Sequence, residues 1–303
     1  MNLLLTGSFK YSEEQINILR SLGYEIYYMQ QEGEELPIAA SEVDVIVCNG
    51  LFQTHALEDF TRLKFIQLTS AGFDRVPMEK IKERSIDLCN ASGVYSIPMA
   101  EWTIFRVLEY YKQGKFFHNE QMNGRWTKHR GLKEIDGIKV AIVGAGNVGQ
   151  EVAKRFKVFG AETTGFDIHT SKTIGFDYIE LTDTLCEHVG EFDVVVVTAP
   201  LLPSTRGIIS REVMIHMKQN AILVNIARGG LIDEHAMCEV LTQRKDLFAA
   251  LDVFEHEPLS ENSMLWTLDN VALSPHNSFV GDGNNARMFR VIYKNLKGFV
   301  EKT

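Results

Sequence analysis

Cysteine is scarce in this 303-residue chain, and Cys48, Cys89, Cys186 and Cys238 lie far apart, with no C-x-x-C pair among them. That spacing suits reduced thiols in a cytoplasm better than a disulfide framework. Long apolar runs are also missing. No stretch reaches membrane-spanning length, and Met1 to Gly7 has no long apolar core behind basic residues, so neither a spanning helix nor a secretory leader is expected. The net charge of −9 comes from acids and bases that are interspersed rather than blocked. Neither nucleic acid nor an anionic membrane is therefore a favoured partner. There is no low-complexity segment, and no internal repeat beyond a β-α unit. What remains is a soluble, cytoplasmic protein of small-molecule partners, with enough apolar content (45%) for two cores.

The most informative stretch runs from Gly137 to Ala153. An apolar run ends at Gly144 and helix-period apolar residues begin near Val148, so Gly144, Gly146 and Gly149 lie where a buried strand turns into a helix. Gly144 permits the tight turn. Gly146 removes a side chain that would block phosphates, and Gly149 lets helix pack closely on strand. Free amides at the helix start then suit an anion. A second strand, Thr163 to Phe166, ends in Asp167, about twenty residues past the motif, where an adenosine ribose would present its 2′-hydroxyl. The stretch predicts a dinucleotide site. Asp167 would repel a 2′-phosphate, whereas His169 and Lys172 would attract one; the acid is nearer the ribose, so NAD is favoured over NADP.

The alternation of apolar runs organises the rest. Leu3–Leu5, Tyr24–Tyr28, Val43–Val47 and Phe65–Leu68 read as strands separated by helical or polar segments, the first followed by a capping-box helix start at Ser12 and Gln15. Around Ser96-Ile97-Pro98 a long helix is predicted from Met99 to about Lys115, with Pro98 as hinge and first helical residue. Later strands are Phe192–Val197, Ala221–Ile226, Phe248–Leu251 and Val271–Leu273, and an amphipathic helix from about Asn285 to Val300 returns to the first domain. The fold class predicted is α/β, with two doubly wound parallel-sheet domains. Residues 1–97 with 281–303 form a flavodoxin-like substrate domain, and residues 98–280 an inserted Rossmann dinucleotide-binding domain.

Polar residues in the inserted domain fall just past strand ends, and parallel strands deliver those ends to one sheet edge. Arg228, Asp252, Glu257 and His276 therefore converge, although each alone reads as an ordinary surface or loop residue. A guanidinium offers two parallel donors to a carboxylate. A histidine beside a carboxylate can hold or release a proton near neutral pH. With a nicotinamide, this is an apparatus for keto–hydroxy interconversion. His235 and Cys238 share a helix face, but two ligands without a third do not make a metal site, and none is expected.

These motifs resemble the D-isomer-specific 2-hydroxyacid dehydrogenase family over essentially the whole chain. The segments that carry the resemblance are Gly144-Ala145-Gly146-Asn147-Val148-Gly149 with Asp167, Met217 to Asp233, Leu251 to Leu259, and Ser274-Pro275-His276-Asn277-Ser278. The resemblance implies that Arg228 binds the substrate carboxylate and carbonyl, that His276 is the acid/base and that Glu257 is its partner. It implies that Asp252 holds the nicotinamide carboxamide and that backbone groups of Ser70, Ala71 and Gly72 receive the substrate carboxylate. Asn147 and Val148 join the glycines in binding the dinucleotide, and Thr198 and Pro200 line its ribose and phosphates; Thr198 stands where the family often has histidine. The family also implies closure of the two domains across a hinge and a homodimer formed through the helix-and-arm region after Pro98. A C-terminal regulatory domain, as in some phosphoglycerate-oxidising relatives, is not expected.

The expected activity is NAD-dependent interconversion of a small 2-keto acid and the D-2-hydroxy acid. Glyoxylate, hydroxypyruvate, pyruvate, phosphohydroxypyruvate and branched-chain keto acids are all candidates. The rival reading is an NAD(H)-sensing, corepressor-like scaffold of the same fold. Formate oxidation is disfavoured, because Glu257 stands where that chemistry has an amide.

Overall fold

A computed structural model describes residues 1–170 and 174–302. Lys172 lies outside the described residues. The chain divides into two compact units, Met1–Tyr95 with Gly281–Thr303, and Ser96–Val280.

The first unit is built on five strands: β1 (Asn2–Thr6), β2 (Glu25–Met29), β3 (Val45–Cys48), β4 (Phe65–Leu68) and β5 (Asp87–Cys89). All pair in parallel, in the order β2-β1-β3-β4-β5. That is the flavodoxin-like order of a doubly wound sheet. Alternation within the strands feeds two cores, with Leu3, Leu5, Val45 and Val47 on one face and Leu4, Ile46, Cys48 and Ile66 on the other. Helix α1 (Glu13–Ser21) starts at the Ser12–Gln15 capping box, both of whose hydrogen bonds are present. Helix α2 (Met78–Glu83) precedes β5. The closing helix Asn284–Val300 lays Met288, Ile292, Leu296 and Phe299 on the first of those cores.

The second unit opens with α3 (Ser96–Tyr111) and α4 (Gly114–Met122). The sequence predicted one helix from Met99 to about Lys115 with Pro98 at its start. Instead Pro98 occupies the third helical position, where a missing amide costs nothing. The helix also breaks at Gln113, which adopts a left-handed φ of 57°.

Seven parallel strands follow: β6 (Lys139–Val143), β7 (Glu162–Asp167), β8 (Tyr178–Leu181), β9 (Val194–Val197), β10 (Ile222–Asn225), β11 (Phe248–Leu251) and β12 (Val271–Leu273). Their order, β12-β11-β10-β9-β6-β7-β8, reverses direction between β6 and β9, as in a Rossmann sheet. Helices α5 (Asn147–Val158), α6 (Leu185–His188), α7 (Arg211–His216) and α8 (Glu234–Gln243) connect them. Val194 and Val196 face one core, Val195 and Val197 the other, and all four are fully buried, so the sheet is covered on both sides. All loops leaving the carboxyl ends of these strands consequently share one edge. The polar residues singled out above lie there.

Candidate active site

The glycine-rich loop sits at the strand-order reversal, between β6 and α5. Gly144 has φ +104°, and a Cβ there would lie 2.6 Å from the Ala199 nitrogen, so a side chain is excluded by both conformation and space. At Gly149 a Cβ would stand 2.1 Å from the Gly144 oxygen; this is the close helix-on-strand packing that the motif requires. Gly146 differs, since a Cβ there would meet nothing within 4 Å. The open side of the loop therefore lies at Gly146, ahead of the first turn of α5, which begins with Asn147 and Val148. This cradle fits a dinucleotide pyrophosphate.

Asp167 closes β7 beside the loop. Its Oδ2 accepts from the Ala145 amide at 2.7 Å and its Oδ1 from the Ile168 amide at 2.8 Å, so the carboxylate is oriented by backbone on either side. Thr198 turns its hydroxyl to the Gly144 carbonyl (2.7 Å), which ties the end of β9 to the glycine loop. The Pro200 carbonyl accepts from the Thr205 hydroxyl at 2.6 Å and so shapes the same segment.

Further along that edge, β10 ends in Asn225, whose buried side chain donates to the Arg228 carbonyl (2.9 Å) and accepts from the Ala227 amide (3.1 Å). The half-buried Arg228 is thereby presented from a fixed turn, and its guanidinium donates to the Ala227 carbonyl at 2.8 Å. At Gly229 a Cβ would lie 1.9 Å from the Phe254 carbonyl carbon. The turn bearing Arg228 is thus in backbone contact with the loop bearing Glu257.

Glu257 is held at both oxygens. Oε1 accepts from the Phe254 amide at 3.0 Å, and Oε2 accepts from Nδ1 of His276 at 2.7 Å. A carboxylate here can only accept, so Nδ1 carries the proton and Nε2 is the nitrogen left to exchange one. The imidazole also meets Phe279 edge-on, with centroids 5.8 Å apart. His276 has φ +51°, a left-handed conformation unusual for histidine, and the residue that sustains it is Asp252. Asp252 is fully buried. Its main-chain oxygen accepts from the His276 amide (2.7 Å), and its carboxylate accepts from the Asn277 amide (2.8 Å), the Ser278 amide (2.9 Å) and the Ser274 hydroxyl.

The structure thus brings Glu257, Asp252 and His276 into one bonded assembly, adjoined by the Arg228 turn. Asp252, singled out in the sequence for a cofactor contact, has both carboxylate oxygens engaged by the 274–278 loop. Sequence reasoning gave no role to Asn225, Ser274 or Ser278, because their hydrogen bonds depend on which loops meet.

The remaining candidates belong to the first unit. Ser70, Ala71 and Gly72 follow β4; the Ser70 hydroxyl donates to the Gly72 carbonyl (2.9 Å), and the Asn90 amide group donates to the Ala71 carbonyl (2.6 Å). The backbone amides of Ala71 and Gly72 donate to no acceptor among the described residues, which suits them to an anion.

The family described as "D-isomer specific 2-hydroxyacid dehydrogenase, NAD binding domain" matches residues 104–278. The D-3-phosphoglycerate dehydrogenase of Methanocaldococcus jannaschii is 37% identical over 269 residues, which cover 87% of this chain and 51% of that protein; this chain thus spans about half the length of that relative. The hydroxypyruvate reductase of Thermotoga maritima is 36% identical over 252 residues, 81% of either chain. A D-isomer-specific 2-hydroxyacid dehydrogenase of Xanthobacter autotrophicus, solved in complex with NADPH and MES, has the same fold, with a TM-score of 0.80 at 23% identity over 98% of this chain and 95% of its own. A profile match across more than half of the residues, joined by two relatives above 30% identity, establishes that this chain belongs to the D-isomer-specific 2-hydroxyacid dehydrogenase family.

Proposed function

We propose that this protein interconverts a small 2-keto acid and the corresponding D-2-hydroxy acid, with NAD as its cofactor. The observation that carries this reading is the 2.7 Å pair of His276 and Glu257, held on the sheet edge that also bears Arg228 and the dinucleotide cradle. A bound nicotinamide supplies the hydride in one direction and accepts it in the other. His276 gives its Nε2 proton to the carbonyl oxygen as the hydroxy acid forms and takes it back in oxidation. Glu257 keeps the imidazole in the required tautomer and stabilises it when it is charged. Arg228 meets the substrate's carboxylate and carbonyl with parallel donors. Of the first unit's residues, Ala71 and Gly72, with Ser70, are proposed to receive the substrate carboxylate through backbone amides.

Asp167 supports NAD over NADP, because a carboxylate tied to the Ala145 amide stands where a 2′-phosphate would bring like charge. The free cysteines accord with a cytoplasmic protein. Exposed apolar side chains on and after α3, Phe105 (52% exposed), Met122 (72%) and Trp126 (96%), support a homodimer through that region, which sedimentation at micromolar concentration tests: a single species of monomer mass removes the dimer.

The deciding experiment follows NADH and NADPH oxidation with glyoxylate, hydroxypyruvate, pyruvate, phosphohydroxypyruvate and branched-chain keto acids. Turnover of one acid with NADH is the expected result. Binding of NADH with no turnover on any of them would overturn the dehydrogenase reading in favour of a nucleotide-sensing scaffold.

A further inference from the structure

The loops at the carboxyl edge leave one cluster of metal-binding side chains unexplained. The ligand atoms of Cys186 on α6 and of Glu212 and His216 on α7 all lie within 4.8 Å of one another. Glu212 and His216 are four residues apart on a helix and so share a face, while Cys186 comes from the neighbouring helix, where it packs against the unit's core. The imidazole of His216 is already prepared for a ligand. Its Nδ1 lies 2.8 Å from the Glu212 carbonyl oxygen, which can only accept, so Nδ1 carries the proton and Nε2 keeps its lone pair. Metal-bound histidines are commonly oriented by such a bond from the other ring nitrogen.

The end of α7 is also fixed. Arg244 donates to the carbonyls of Ile215 and Met217, on either side of His216, at 2.9 Å each.

We propose that Cys186, Glu212 and His216 form a zinc site that staples α6 to α7, with water as the fourth ligand. Thiolate and imidazole select a borderline-soft metal over magnesium or calcium, and thiolate plus carboxylate neutralise a dication. The site is independent of the catalytic assignment. Helices α6 and α7 both lead into the amino ends of strands, β9 and β10, whereas Arg228, Glu257 and His276 follow carboxyl ends.

The test uses the whole protein after chelator treatment, titrated with zinc and separately with cobalt. The expected result is one zinc per chain, a rise in the thermal midpoint on zinc addition, and a thiolate-to-cobalt charge-transfer band. Cys186→Ser and His216→Ala should each weaken zinc binding by at least about a hundredfold and abolish the rise. Turnover of both variants in chelator should equal that of the parent, which separates loss of the site from loss of the fold. Zinc binding of equal strength in the parent and both variants, or cobalt binding without a thiolate band, would overturn the proposal.

Discussion

The main-chain oxygen of Asp252 accepts the amide of His276 at 2.7 Å, while the carboxylate of the same aspartate accepts from the amides of the two residues that follow the histidine. A single buried residue thus fixes the left-handed turn on which the proposed acid/base stands. In Asp252→Asn the amide group must face at least one of those donors, leaving a buried N–H without an acceptor. The expected cost is about 1–3 kcal/mol of stability, read by denaturant unfolding. Turnover should fall while the dissociation constant for NADH holds. Wild-type turnover in a folded Asp252→Asn would show that the loop does not need the charge.

His276→Ala removes the proposed proton donor but none of the groups that shape the glycine loop. Turnover should drop by about 10²–10⁴-fold, with NADH fluorescence titrations unchanged. Unaltered turnover would take His276 out of the mechanism.

Asp167→Ala removes the like charge that faces a 2′-phosphate, and the acceptor of the Ala145 amide goes with it. The preference for NADH over NADPH, measured as a ratio of kcat/KM, should shift toward NADPH by about tenfold or more. If the ratio does not move, the ribose is read by other residues.

Acid sensitivity should be traceable in part to Asp246. Its hydrogen bond with Arg244 holds the carboxyl below the usual carboxylate range. A carboxyl depressed in the folded state binds fewer protons there than in the unfolded chain. Its stabilisation is complete above about pH 4 and is lost as pH falls through the depressed value. Asp246→Asn should therefore be less stable than the parent at neutral pH and lose less on acidification, as thermal midpoints across pH would record. A parallel fall in both proteins would rule this contribution out.

Much of this was legible in the residues because their effects are local. Val194 to Val197 read as a strand buried on both faces, and Gly144 and Gly149 each have a steric reason visible in their spacing. Strands β5 and β8 were not legible. Both lie at sheet edges, are short, and carry exposed residues such as Asp87 and Tyr178, so no buried alternation marks them. The break at Gln113 was hidden because a left-handed residue other than glycine has no composition signal. The Cys186 cluster was equally invisible, since Glu212 arrives from a helix beyond the next strand and no ligand spacing announces it. Asp252 was singled out for its place at the end of a strand, but its hydrogen-bond partners emerge only when β11 and β12 pair.

The contact between Gly229 and Phe254 joins two parts of the apparatus that the chain supplies separately. Because the backbones touch, with 1.9 Å between a hypothetical Cβ and the Phe254 carbonyl carbon, neither turn can relax without moving the other. Substitutions at Arg228 and Glu257 should then fail to combine as independent losses. In a thermodynamic cycle of Arg228→Lys and Glu257→Gln, the double variant is expected to depart from the product of the single effects by about 0.5–3 kcal/mol in activation free energy. The two turns would then act as a single mechanical unit, each holding the other's side chain in place.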